Sequence, residues 1–130
     1  MVYNKNLIER FQNLNNVGII KNADGVGLAK NNVCGDTIKV YLQIKDDVIV
    51  DAKFKTFGGV AAIALSDITL DIIKNKTIDE ALVITGKDIC QRLGCEIPTK
   101  NTYCSILAQE AVSKAVQDYR KKQLKKVLKV

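Results

Sequence analysis

The 130-residue sequence contains no histidine and no tryptophan, and it has only one proline. The absence of histidine excludes catalysis by a histidine base and metal binding by an imidazole of this chain. No run of about eighteen or more apolar residues is present, which excludes a transmembrane helix. The N-terminus also lacks the apolar core of a signal peptide. We therefore predict a cytoplasmic protein that has no membrane partner.

The four cysteines are irregularly spaced, and no two of them form a C-x-x-C pair. This spacing argues against a zinc ribbon and against a thioredoxin-like redox motif. In such a chain, cysteines are predicted to be thiols or metal ligands rather than disulfides. Cys34 stands two residues before Asp36, and Cys104 opens an amphipathic helical pattern. A thiol beside a carboxylate, and a thiol at a helix N-terminus, are groups that bind soft metals or carry sulfur.

The apolar pattern predicts an α+β fold, in which a small antiparallel three-stranded sheet has helices packed on one face. Alternating apolar residues indicate strands at 37–44 and 48–57, and 26–29 is a candidate edge strand. Helical spacing indicates helices at 4–14, 61–74, 77–82 and 87–93, and a long C-terminal helix from 103 onward. No internal repeat or linker divides the chain, so residues 1–130 are predicted to form one domain.

The last predicted helix carries a buried stripe and a basic end. The stripe is predicted to consist of Ile106, Leu107, Ala111, Val112, Ala115, Val116 and Tyr119. The net charge of +6 is concentrated in Arg120, Lys121, Lys122, Lys125, Lys126 and Lys129. Positive charge complements the dipole at a helix C-terminus, so a solvated helix end at 120–130 is expected. A docking patch for an acidic protein is the alternative, and nucleic-acid binding is disfavoured because no aromatic residues are interleaved.

Three segments, far apart in sequence, carry a family resemblance. They are Cys34–Asp36, Phe54–Gly58 with the small residues that follow it, and Cys104–Ala108. In this order and spacing they resemble the U-type iron–sulfur cluster scaffold family, which comprises the IscU proteins and the N-terminal domain of NifU. The first segment matches the family's first cysteine and its aspartate. The second leads to the family's second cysteine, and the third matches its third cysteine and the following helix.

The resemblance implies that Cys34, Asp36 and Cys104 bind iron or a nascent [2Fe–2S] cluster, with zinc as an alternative metal in the isolated protein. Cys104 is the candidate persulfide acceptor, because a helix N-terminus favours the nucleophilic thiolate. The implied partner is a cysteine desulfurase of the IscS/NifS type, and the implied role is that of a scaffold rather than an enzyme. A DnaK-type chaperone is a weaker expectation, because its proline-rich recognition segment is reduced here to Ile97–Lys100.

Two positions depart from the family pattern. Gly59 stands where the family has its second cysteine, and Tyr103 stands where it has a histidine. Tyr103 is a candidate oxygen ligand, and Cys95 is a candidate thiol ligand whose alternative is a buried position, as is expected for Cys90. Three protein ligands and a water suffice for one zinc or ferrous ion, whereas a [2Fe–2S] cluster normally needs four protein ligands. The alternative function is therefore a non-assembling paralogue that binds one zinc or iron ion or regulates the desulfurase.

Overall fold

The computed structural model describes residues 4–33 and 35–128. It confirms the predicted order of helices and strands. The elements are α1 (Lys5–Gln12), β1 (Gly25–Lys30), β2 (Thr37–Lys45), β3 (Val48–Phe57), α2 (Val60–Ile73), α3 (Ile78–Leu82), α4 (Gly86–Leu93) and α5 (Thr102–Leu128). A single 3-10 turn, Thr99–Asn101, leads into α5.

The sheet has the order β1-β2-β3, and both pairs of neighbouring strands are antiparallel. Thr37 lies opposite Phe57, so the start of β2 and the end of β3 lie side by side at the same end of the sheet. Alternate residues of β2 are buried under the helices, whereas those between them are wholly or partly exposed. The predicted three-stranded sheet with helices on one face is therefore confirmed, and its hydrophobic core lies between this face and the helices.

Helix α5 approaches β1 closely because two positions of that strand are glycine. A Cβ atom at Gly25 would lie 2.2 Å from the backbone oxygen of Ala115, and one at Gly27 would lie 2.2 Å from that of Ala111. Any side chain at these positions would push the helix away from the sheet. The two glycines therefore set the distance of α5 from the sheet.

The buried stripe of α5 agrees with the prediction except at Ile106. Its fully buried members include Leu107, Ala111, Val112, Ala115 and Val116, while Tyr119 is half-buried against the same core. Ile106 is 59% exposed, so its predicted core position is wrong. An α-helix turns by about 100° per residue, which places Ile106 on the side opposite the stripe.

A buried polar cluster fixes α1 and the following segment against α2. The Asp67 side chain, 0% exposed, accepts hydrogen bonds from the backbone amides of Asn15 and Asn16. The Arg10 guanidinium donates to Asp67, with Nε 2.7 Å from Oδ2, and also pairs with Asp71. Buried charges are tolerated when they are paired and hydrogen-bonded in this way. The cluster therefore holds α2, whose N-terminus reaches the candidate site.

The C-terminal part of α5 projects as an exposed basic segment, in agreement with the predicted solvated helix end. Residues 120–128 are exposed, and two of their side chains pair with acids, Arg120 with Asp79 and Lys122 with Asp118. Lys129 lies outside the described residues. Among the described helices, none combines the length and apolar character needed to cross a membrane.

Candidate functional site

The candidate site is a cavity of about 160 Å³ where three distant segments meet. They are the loop before β2, the N-terminus of α2 and the start of α5. The cavity is lined by Asp36, Gly59, Val60, Ala61, Ala62, Lys100, Asn101, Tyr103 and Cys104. The structure thus brings together Asp36, Tyr103 and Cys104 from the predicted ligand set. Of the other predicted ligands, Cys34 lies outside the described residues and Cys95 does not line the cavity.

The turn between β3 and α2 consists of two glycines with different surroundings. A Cβ atom at Gly58 would lie 3.0 Å from the Cβ of Ala62 and 3.1 Å from the Cγ of Asp36. Gly58 therefore gives the Asp36 carboxyl group room to approach the turn. A Cβ atom at Gly59 would meet nothing within 4 Å. Gly59 is the N-cap of α2 in an extended conformation, φ −81° and ψ −175°, which a residue with a side chain can also adopt.

Asp36 lies immediately before β2 and is held by contacts on its backbone and on its side chain. Its carbonyl oxygen accepts a hydrogen bond from the Asn31 amide, with an N–O distance of 2.9 Å. Its carboxylate Oδ2 accepts a hydrogen bond from the Tyr103 hydroxyl, with an O–O distance of 3.1 Å. An ionised carboxylate has two oxygens and about four acceptor positions, so this hydrogen bond leaves Oδ1 able to act as a ligand.

Cys104 is in the first turn of α5, as predicted, and is only 1% exposed. It belongs to a core cluster with the α2 residues Ala61, Ala62 and Leu65, against which the Tyr103 ring also packs. Cys104 is therefore packed among apolar residues at the cavity wall. Lys100, in the preceding 3-10 turn, is the cationic residue among the described lining residues.

The remaining described cysteines do not line this cavity. Cys95 is half-buried, and its Sγ donates to Oδ1 of Asn4, the N-cap of α1, at 3.4 Å. Cys90 is half-buried on α4, so its predicted core position is not reached. The buried residues of that helix, Ile89 and Leu93, are four positions apart and form one stripe, and Cys90 lies beside it.

The described residues of the cavity supply two donors, the Asp36 carboxylate and the Cys104 thiol. Within residues 4–33 and 35–128, no three His, Cys, Asp or Glu side chains lie close enough together to hold a metal ion. Asp36 provides oxygen and Cys104 provides sulfur, and Cys34 is the predicted third donor. One zinc or ferrous ion with water suits such a set, whereas a [2Fe–2S] cluster requires a fourth protein ligand.

A larger cavity, of about 670 Å³, lies among α2, α3 and α4. Its two carboxylates, Glu80 and Asp88, are engaged in capping boxes with Thr77 and Thr85 at the starts of α3 and α4. The described residues that line it include Lys76 and Arg92 but no cysteine. Glu80 and Asp88 therefore stabilise the starts of two helices, and the predicted thiol ligand Cys104 lines the smaller cavity instead.

The hydrogen bond between Tyr103 and Asp36 is the feature of the site that the sequence analysis missed. The two residues are 67 positions apart, and neither carries a local signal of the contact. Tyr103 is a candidate ligand in the sequence, whereas in the structure its hydroxyl donates a hydrogen bond to Asp36, another candidate ligand. Asn101 also lines the cavity without having been predicted.

Comparisons with known proteins agree with this fold. The family model of the NifU-like N terminal domain matches residues 2–126. The iron–sulfur cluster assembly scaffold protein IscU 1 of Archaeoglobus fulgidus is 45% identical over 121 residues, which cover 93% of this chain and 78% of that protein. The scaffold protein IscU of Escherichia coli K12 is 38% identical over 126 residues, covering 94% and 97%.

A solved structure supports the same fold at lower sequence identity. The nitrogen-fixing NifU-like protein (N-terminal) from Brucella abortus superposes with a TM-score of 0.73 at 20% identity, covering 93% of this chain and 96% of that chain. This likeness concerns the fold alone, whereas the family match and the identities of the IscU relatives concern the sequence itself. The chain therefore belongs to the NifU-like N-terminal domain family, which includes the IscU scaffolds that it resembles.

Proposed function

We propose that this protein is a scaffold-like component of iron–sulfur cluster assembly that binds iron, or a nascent [2Fe–2S] cluster, in the cavity of Asp36 and Cys104. The names of its relatives at 38–45% identity support an assembly role. The observation that carries the proposal is that Asp36 and Cys104, distant in sequence, line one cavity. The metal is cargo that is received and passed on, so the protein is not proposed to be an enzyme.

Cys104 is the proposed sulfur acceptor, and the donor is a cysteine desulfurase of the IscS/NifS type. The Cys104 thiolate attacks the outer sulfur of the desulfurase persulfide, a new S–S bond forms, and the desulfurase cysteine leaves as a thiolate. This exchange needs no external oxidant or reductant. Because Cys104 is only 1% exposed, the cavity must open for the persulfide to reach it. Lys100 would attract the anionic groups at the cavity mouth.

The metal would be held by Cys34, Asp36 and Cys104. Carboxylate is a harder ligand than thiolate and binds a cluster iron less firmly, so Asp36 is the ligand suited to release. Zinc fits the same donors in the isolated protein. A cytoplasmic location and a single domain over 1–130 remain predictions, as does a DnaK-type chaperone partner that recognises the reduced segment Ile97–Lys100.

A second candidate function is favoured by Gly59 and Tyr103. Position 59 contributes no thiolate to the cavity, and the Tyr103 hydroxyl is a donor to Asp36. A paralogue with these residues would bind one zinc or iron ion, or regulate the desulfurase, without assembling a cluster. The fold and a desulfurase-docking surface would then be retained while the assembly chemistry is lost.

Anaerobic incubation with ferrous iron, cysteine and a cysteine desulfurase distinguishes these functions. A scaffold should develop broad sulfide-to-iron absorption in the visible range. Cys104→Ala should abolish this absorption, and Cys90→Ala should retain it, because Cys90 lies on α4 and does not line the cavity. A colourless protein that still binds the desulfurase would support the paralogue. A colourless protein that binds neither the desulfurase nor a metal ion would contradict both proposals.

A further inference from the structure

The two oxygens of the Asp36 carboxylate have different surroundings. Oδ2 accepts the hydrogen bond from Tyr103 at 3.1 Å. Oδ1 lies on the side of the Gly58–Gly59 turn, 3.3 Å from where a Cβ atom of Gly58 would be. The backbone of Asp36 is fixed by the hydrogen bond from Asn31. The side chain therefore has Oδ2 bound by Tyr103 and Oδ1 beside Gly58, whose neighbour Gly59 lines the cavity.

Tyr103 is placed to hold this orientation. It is the second residue of α5, and its ring packs against the core cluster that contains Ala61, Ala62 and Cys104. The helix and the cluster therefore fix the ring, and the ring fixes the position of the hydroxyl. A neutral phenol donates its proton to Asp36 in this arrangement, whereas a tyrosine that binds a metal must first lose that proton.

Carboxylates that bind metals in proteins are usually held by hydrogen bonds from residues that do not touch the metal. These outer partners fix the ligand's orientation, and their loss typically weakens metal affinity by about 10- to 100-fold. We propose that Tyr103 is a positioning residue that orients Asp36 so that Oδ1 binds the metal, and that Tyr103 itself is not a ligand. This inference rests on the proposed function of the cavity.

Tyr103→Phe tests the inference because it removes the hydroxyl and keeps the packed ring. We would titrate the reduced full-length protein with Co²⁺ under anaerobic conditions and follow the visible cobalt bands. The variant should bind Co²⁺ about 10- to 100-fold more weakly than wild type, and it should still unfold cooperatively because the packed ring is kept. Tyr119→Phe is the matched control, since it removes a phenol hydroxyl from the same helix at a residue that does not line the cavity. It should leave the affinity unchanged.

A double-mutant cycle separates positioning from direct ligation. If Tyr103 acts through Asp36, Tyr103→Phe should cause no further loss of Co²⁺ affinity in the Asp36→Ala background. A further loss in that background would identify Tyr103 as a ligand and would overturn the inference. Unchanged affinity in Tyr103→Phe, with or without a lowered unfolding midpoint, would also overturn it.

The failure of the proposed function would be recognised separately. Wild type and Cys104→Ala are titrated in parallel, and the proposed metal site requires that only wild type shows thiolate-to-cobalt absorption. Absence of Cys104-dependent binding in wild type would refute the site and the inference together. Cys104-dependent binding in wild type that Tyr103→Phe does not weaken would refute the inference alone.

Discussion

Replacing Gly59 with cysteine should add a thiolate to the cavity without disturbing the fold. The Gly59 backbone is extended, at φ −81° and ψ −175°, and a Cβ atom there would meet nothing within 4 Å. A side chain is therefore accommodated without strain. Replacing glycine at a compatible position typically stabilises a protein by about 0.4–1 kcal/mol, because it restricts the unfolded chain. We expect the free energy of unfolding of Gly59→Cys to stay at the wild-type value or rise by up to this amount.

The neighbouring glycine provides a matched control with the opposite expectation. A Cβ atom at Gly58 would lie 3.0 Å from the Ala62 Cβ and 3.1 Å from the Asp36 Cγ. Overpacking of this kind typically destabilises a protein by about 1–3 kcal/mol. Gly58→Cys should therefore lower stability and displace Asp36 from the cavity. The same substitution at adjacent positions thus has opposite effects, for reasons that only the three-dimensional environment supplies.

Co²⁺ titration measures the consequence for metal binding. A further thiolate ligand in Gly59→Cys should intensify the thiolate-to-cobalt absorption. It should also tighten Co²⁺ binding by at least about 10- to 100-fold, which is the effect on metal affinity typical of a residue that only hydrogen-bonds to a ligand. Gly59→Ser, which fits the same space without a thiol, should leave the thiolate absorption at the wild-type level. The reasoning is refuted if Gly59→Cys matches Gly59→Ser in the cobalt spectrum, or if it is destabilised as much as Gly58→Cys.

The remaining predictions concern stability and are measured by urea or acid unfolding. Gly27→Ala should destabilise by at least about 1–3 kcal/mol, because its Cβ would lie 2.2 Å from a backbone oxygen of α5. Gly86→Ala should not destabilise the protein, because a Cβ atom there meets nothing within 4 Å. Equal losses of stability in Gly27→Ala and Gly86→Ala would refute the packing argument. Arg10→Met should remove about 3–5 kcal/mol, because the buried carboxylate of Asp67 loses its cationic partner, and a loss below about 1 kcal/mol would mean that the amides suffice. Burial alone would raise the pKa of Asp71, but hydrogen bonds from two asparagines and Arg10, together with the charge of Arg10, outweigh it and lower the pKa from 3.8. A carboxylate whose folded-state pKa is lowered contributes stability above its unfolded pKa, and this stability is lost as pH falls through the folded pKa. Asp71→Asn should therefore make the free energy of unfolding depend less steeply on pH below 3.8. An unchanged pH dependence in that range would contradict this role of Asp71.

Local sequence patterns predicted most of the secondary structure because each rests on interactions between near neighbours. Alternation of apolar residues predicted strands at 37–44 and 48–57, and the structure has them at Thr37–Lys45 and Val48–Phe57. The capping signal at Thr77 correctly marked the start of α3. Ile106 was misplaced because it was assigned to the stripe for its apolar side chain, although about 100° per residue puts it on the side opposite Ala111 and Ala115. The structure leaves it 59% exposed.

Motifs and periodicity are read along the chain, so they identify the family, the order of the elements and the candidate donors Asp36 and Cys104. How these donors are arranged depends on the packing of distant segments. Tyr103 reaches Asp36 across 67 positions because α5 packs on the sheet beside the start of β2. Gly58 and Gly59 are identical as residues, yet one faces the Asp36 carboxyl group and the other faces open space. Such differences arise from contacts between distant segments, and no local pattern in the chain encodes them.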